Sequence, residues 1–143
     1  MATTTQENHK ETVRQIVELM SAGELDKIDE YIAEDVVFRS PGEEPGHGLD
    51  AYKEACLVFD RAFPDWSMEI HDQIAEDDQV ATRYTNRGTH EGELEGIEAT
   101  GNTVEFTGII INRFEDGKVV ETIQEFDNAH LLGQLGVMEG PEA

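Results

Sequence analysis

Three kinds of side chain in this 143-residue sequence are suited to acid/base chemistry. Asp127 lies at the end of a strand-like run in which Ile123, Glu125 and Asp127 alternate and so share one face. If that face borders an enclosed space, desolvation raises the carboxyl pKa toward the range useful to a general base. The competing reading is structural, because Asp before Asn128-Ala129-His130 is a good helix N-cap. Glu125 reads as a solvated or supporting carboxylate. Arg83 stands within the strand-like run Val80 to Thr85 in a chain with few cations. Facing inward, its guanidinium would hold an enolate or carboxylate oxygen through two fixed donors; facing outward, it would pair with one of many acids. Arg87 has the same strand parity, so one assignment decides both. His90, in Gly88-Thr89-His90-Glu91-Gly92, can donate to an oxygen or carry a proton near neutral pH, or simply satisfy a backbone carbonyl.

Other signals carry less. Gly46-His47-Gly48-Leu49-Asp50-Ala51 fits a dinucleotide fingerprint but lacks the strand-helix-strand setting that would make it a cofactor site. The five histidines show no pairing at metal-ligand spacing, so neither a metal nor a cofactor is expected. Cys56 falls on the apolar stripe of a helix and reads as core. Phe59, Phe63, Trp66 and Tyr84 fit a cavity wall and a packed core equally well.

The elements that must position these groups follow from periodicity. Val13, Ile16, Val17 and Met20 form one helical stripe that Gly23 ends. Leu25, Ile28 and Ile32 predict a second short helix, Asp35 to Phe38 a brief strand, and Ser40 to Gly48 a loop rich in Pro and Gly. Leu49, Tyr52, Cys56, Phe59 and Phe63 predict a third helix, stopped by Pro64. Met68, Ile70, Asp72 and Ile74 then alternate with polar residues, and Glu76 to Gln79 is a hairpin connection into a strand over 80–90. After an acidic, glycine-rich loop over 91–102, strands over 103–114 and 119–126 flank an Asp116-Gly117 turn, and Leu131, Leu132 and Leu135 predict a terminal helical turn. Helices first and an antiparallel meander after them give an α+β class in a single domain spanning 1–143, with helices on one face of a curved sheet.

The series Arg87-Gly88-Thr89-His90, Thr100-Gly101, Asp116-Gly117-Lys118, Asp127 and Gln134-Leu135-Gly136 resembles the SnoaL-like polyketide cyclases, or ester cyclases, of the NTF2-like superfamily. The similarity runs from the first helix to Gly136. The resemblance implies a cone whose sheet wraps around the helices and leaves a hydrophobic cavity. It also implies a homodimer through the exposed sheet face, with Ile109 to Ile111 at or near the contact. The function implied is cofactor-free: Asp127 as the acid/base of an intramolecular aldol-type closure on a small hydrophobic carbonyl compound, with Arg83 and His90 stabilising the enolate. An isomerase, dehydratase or epoxide hydrolase on the same fold, or a non-catalytic ligand-binding module, are the alternatives. Ile123 stands where the family usually carries an aromatic residue, and Ala99 where it carries Pro, departures that reshape the cavity against flat fused-ring substrates.

Charge sets the outer limits. With 32 acidic and 10 basic residues the formal net charge is -22, which repels phosphate backbones and anionic lipid and argues against nucleic-acid or membrane partners. The acids are scattered and only four of the cations are lysines, a pattern that suits a high-salt cytoplasm where screening relieves self-repulsion. One cysteine forbids an internal disulfide, and neither a signal-like segment nor a membrane-length apolar run is read, so a cytoplasmic protein is expected.

Overall fold

A computed structural model describes residues 5–136. The chain opens with helix α1 (Thr5–Ser21), whose stripe of His9, Val13 and Ile16 is buried. A 3-10 helix over Leu25–Glu30 follows, and then strand β1 (Ile32–Arg39) and the two-residue β2 (Gly46–His47). Helix α2 (Leu49–Ala62) precedes the long strands β3 (Ser67–Glu76), β4 (Gln79–Thr89), β5 (Thr103–Glu115) and β6 (Lys118–Phe126), and α3 (Asn128–Gln134) closes the described chain. Ile32, expected to continue the second helix, instead begins β1, since a β-branched residue fits the strand better than one more helical turn. No described helix is long and apolar enough to cross a membrane.

The six strands form one open sheet in the order β2-β1-β6-β5-β4-β3. All neighbours are antiparallel except β1 and β6, whose parallel pairing sets β1 beside the last strand of the meander. The Asp116-Gly117 turn between β5 and β6 has φ of 50° and 81°, the paired positive values of a tight hairpin that glycine and aspartate accept readily.

Burial along β4 alternates: Val80, Thr82, Tyr84, Asn86 and Gly88 face the helices, whereas Arg83 and Arg87 face out. One interruption matters. The pairing of β3 with β4 shifts register between Ile70 and Asp72, so Met68 and Ile70 lie opposite Asn86 and Tyr84, but Asp72 and Ile74 lie opposite Arg83 and Ala81. The alternation expected over Met68 to Ile74 therefore breaks at a bulge. Ile74 is left 70% exposed.

Two apolar clusters hold the layers together. One joins Val13 and Ile16 of α1 to Ile28, Ile32, Val36, Leu49, Val80, Phe114 and Val119; the other joins Ala62 and Phe63 to Val104, Phe106, Leu131 and Leu135. Close approach is enforced at Gly108, where a Cβ would lie 2.4 Å from the Tyr84 hydroxyl, so any side chain there would push the tyrosine out of its place.

Candidate active site

Between the helices and the concave sheet face lies a cavity of about 540 Å³. Helix α1 contributes Val13, Ile16, Val17 and Met20, the sheet contributes Met68, Phe106, Ile110 and Phe126, and α3 contributes Leu131 and Leu132. Apolar residues predominate in the lining. Asn86, Asn112, Thr122 and Gln124 line the sheet side, with the Asn112 amide donating to the Thr122 hydroxyl at 3.0 Å and the Gln124 amide donating to the Tyr84 hydroxyl at 2.7 Å.

Helix α2 supplies the titratable wall. Tyr52, Cys56 and Asp60 recur at i, i+4 and i+8, so all three project on one stripe, and all three line the cavity. Burial pushes the Cys56 thiol up to about 12, helped by the negative charge of Asp60 and opposed by a hydrogen bond from Tyr52. The Tyr52 hydroxyl is likewise held well above its usual range, first by burial and then by Cys56. Both therefore stay protonated at physiological pH. Asp60 differs: burial raises its carboxyl above the usual aspartate range, and the indole N–H of Trp66, donating to Oδ1 at 2.5 Å, offsets part of that rise. Pro64 ends α2 and turns the chain so that Trp66 comes back beside Asp60. Phe59 packs edge-on against Trp66 with centroids 5.8 Å apart and against Phe106 at 6.4 Å, which gives the carboxyl an aromatic, poorly solvating surround.

Two loops form the remaining wall, over 40–45 and 91–102. Glu95 and Gly96 take φ of 46° and 87° in a tight turn whose flanks, Leu94 and Ile97, pair with each other and line the cavity. Glu43 and Glu95 meet across the two loops. Burial, followed by the hydrogen bond and charge of Glu95, raises the Glu43 carboxyl above its ordinary value.

The residues singled out from sequence lie elsewhere. Asp127 is exposed and absent from the cavity wall; its Oδ1 accepts from the His130 backbone N–H at 3.0 Å, the N-cap of α3. The reason is strand parity: Thr122, Gln124 and Phe126 of β6 face the cavity, which sends Ile123, Glu125 and Asp127 to the other side. Arg83 likewise points outward, its Nε donating to Asp72 at 2.7 Å, and Arg87 bonds both Glu69 and Glu105 on that outer face. The inward Arg83 expected from the resemblance is corrected by the same parity rule. His90 is fully buried, but behind the wall. Its Nδ1 accepts from the Thr100 backbone N–H at 3.1 Å, and the ring packs on Phe63. The structure brings none of these three together.

The motif residues act as braces. The Thr89 backbone N–H and hydroxyl both donate to the Asp65 carboxylate, at 2.7 and 2.8 Å, and these two bonds hold the Asp65 pKa below its usual range. The Gln134 side chain accepts from the Glu105 N–H, and its backbone carbonyl accepts from Asn102. Arg-Gly-Thr-His, Thr-Gly and Gln-Leu-Gly thus fasten the loop over 91–102 and α3 to the sheet. Sequence reasoning missed Asp60. The available signal was a carboxylate continuing the Tyr52-Cys56 stripe of an otherwise apolar helix face.

Comparison with known proteins agrees with this architecture. The family model described as SnoaL-like polyketide cyclase matches residues 10–135. AclR from Streptomyces galilaeus, described as a candidate hydroxylase, is 29% identical with a TM-score of 0.84 over 95% of this chain and 89% of its own. IdmH from Streptomyces antibioticus, described as a candidate polyketide cyclase, is 31% identical with a TM-score of 0.78 over 90% of this chain and 99% of its own. A candidate SnoaL-like polyketide cyclase from Jannaschia sp. CCS1 superposes with a TM-score of 0.86 over 99% of both chains at 18% identity, a likeness of fold alone. No curated protein matches the sequence. With the cone-like NTF2 architecture in place and the family model covering nearly the whole chain, the protein belongs to the SnoaL-like polyketide cyclase family.

Proposed function

We propose that the chain is an enzyme performing acid/base chemistry on a small, hydrophobic, neutral carbonyl compound, an aldol-type ring closure, with Asp60 as the proton-transfer group. The observation that carries this reading is a carboxyl with a raised pKa on the wall of a largely apolar cavity of about 540 Å³, held in place by Trp66. A base in such surroundings has gained proton affinity through lost hydration. It would take a C–H proton next to the substrate carbonyl, the enolate carbon would attack a second carbonyl of the same molecule, and the resulting alkoxide would take the proton back from the Asp60 carboxyl. The amides of Asn112 and Gln124 each keep a second N–H beyond the one already bonded, and these neutral donors suit an enolate oxygen. Nothing in this sequence of steps requires a bound cofactor. The chain's net charge and the cavity acids Glu43, Asp60 and Glu95 favour a neutral ligand over an anion.

The protein is read as cytoplasmic and as a homodimer through the convex sheet face, where Ile109 is 45% exposed. AclR and IdmH are described as having different activities, so fold alone does not choose the reaction. The test is hydrogen exchange at the α-carbon of 2-tetralone in D2O, followed by NMR. The wild type should accelerate exchange over buffer, and Asp60→Asn should lose about 10²–10⁴ of that acceleration. Equal acceleration by the variant removes Asp60, and no acceleration by either protein leaves a ligand-binding module.

A further inference from the structure

Asn86 presents a polar group that no described residue satisfies. Its side chain is 4% exposed and stands on the cavity wall, and its amide oxygen is buried without a hydrogen-bond partner. The surroundings explain why. Its cross-strand neighbours in register are Met68 on β3 and Phe106 on β5, and neither carries a polar donor. Along the same face of β4 the next positions are Tyr84, whose hydroxyl accepts from Gln124 and makes no hydrogen bond to Asn86, and Gly88, which has no side chain. A donor for this oxygen must therefore come from whatever fills the cavity, because leaving a buried acceptor unpaired carries the full cost of its lost hydration.

We infer that Asn86 is a specificity-determining residue that selects ligands bearing a hydroxyl or enol O–H in addition to the apolar body that fills the cavity. This deepens the reading of the cavity as a site for a neutral carbonyl compound and rests on it. A site built around a buried hydrogen-bonding group discriminates by rejection: an analogue without the O–H displaces any water that serves the amide oxygen and leaves that oxygen unpaired. Another acceptor on this wall, Asp60 Oδ1, already receives the Trp66 indole. The proposed O–H ligand is uncharged, which matches a wall whose only guanidinium, among the described residues, is Arg39, already bonded to Glu121. A hydroxylated polycarbonyl chain or ring, rather than a fully deoxygenated ketone or a carboxylate, is the class of compound that meets all three conditions.

The test compares 2-naphthol with 2-methylnaphthalene, a pair of similar shape that differs by hydroxyl against methyl, by calorimetric titration of the full chain. The wild type should bind the naphthol about tenfold more tightly. In Asn86→Leu that preference should vanish while the methylnaphthalene affinity is kept or improved, and Asn86→Asp, which retains an acceptor, should keep the preference. Equal binding of the two probes by the wild type overturns the inference without any variant, as does a preference that survives in Asn86→Leu. Asp60 is judged by turnover and Asn86 by hydroxyl preference, so either assignment can fail while the other stands.

Discussion

A carboxylate acts by where it points, and of two aspartates in this chain one, Asp60, borders the cavity while the other, Asp127, caps a helix. Asp127 holds the first turn of α3 through the His130 N–H, and α3 in turn presents Leu131 and Leu132 to the cavity. Its contribution is positional. Asp127→Ala should lower stability by about 1 kcal/mol, the usual cost of an N-cap, whereas Asp127→Asn keeps an accepting oxygen and should melt near the wild type. Both should retain most 2-tetralone exchange; an Asp127→Asn protein that folds normally yet loses the exchange would return Asp127 to the chemistry. Asp60 should behave in the opposite way. Because burial lifts its pKa, Trp66, the single tryptophan and its hydrogen-bond partner, should change emission as pH rises through a value above the ordinary aspartate range. For an acid whose folded pKa is raised, the protonated form is favoured by folding, so this part of stability is present at low pH and lost as pH climbs through that value. A flat emission profile in the wild type, or an unchanged one in Asp60→Asn, would contradict the assignment. The two carboxylates were not equally legible. Asp127 fits a cap motif that is visible in sequence, whereas Asp60 looks like a solvated helix position until α2 is known to be covered on that side.

Element order was largely readable because apolar spacing changes from helical to alternating at Trp66, and the tight turn at Asp116-Gly117 is specified by two residues. Facing was harder. In β6 the run Val119-Val120-Glu121-Thr122-Ile123-Gln124 has apolar and polar residues on both sides, so parity rests on pairing: Ile110 with Gln124 and Asn112 with Thr122 settle it. In β3 a bulge reverses the alternation midway, and one extra residue is invisible to a period-two count. The loops over 40–45 and 91–102 meet through Glu43 and Glu95, a contact that sequence cannot announce because the two residues lie far apart. It has a pH consequence. The raised Glu43 pKa means that the shared hydrogen bond is present at low pH and is lost as pH rises through the folded value. Backbone amides of 91–102, corrected for intrinsic rates, should exchange about 2–10-fold more slowly near pH 4.5 than near pH 7.5, and in Glu43→Gln, which donates at every pH, the two should converge. A wild-type loop whose protection ignores pH would dispose of this bridge.

On the scale of the whole molecule, three of the ten cations, Arg83, Arg87 and Arg113, stand where the sheet faces outward. Each bonds one or more carboxylates of its own or a neighbouring strand, five in all (Asp72, Glu69, Glu105, Glu115 and Glu121), so part of the acidic charge on the convex face is offset although the chain carries -22. Exposed pairs of this kind contribute little to folding. Their effect is to lessen the repulsion that a second copy would meet at this face, with Ile109 exposed and Ile111 and Ile123 paired beside it. Two bodies of that charge still repel at a distance, and screening shortens the range from about 10 Å at 0.1 M salt to about 3 Å at 1 M. Self-association through this face should therefore strengthen with KCl. Light scattering should give twice the monomer mass in molar KCl and a lower average in dilute buffer, and thermal stability should keep rising over the same range. Ile109→Glu, which adds charge at the centre of the face, should stay monomeric at both salt levels with its melting behaviour otherwise little changed. A wild type that scatters as a monomer in molar KCl would remove this face as a contact between copies.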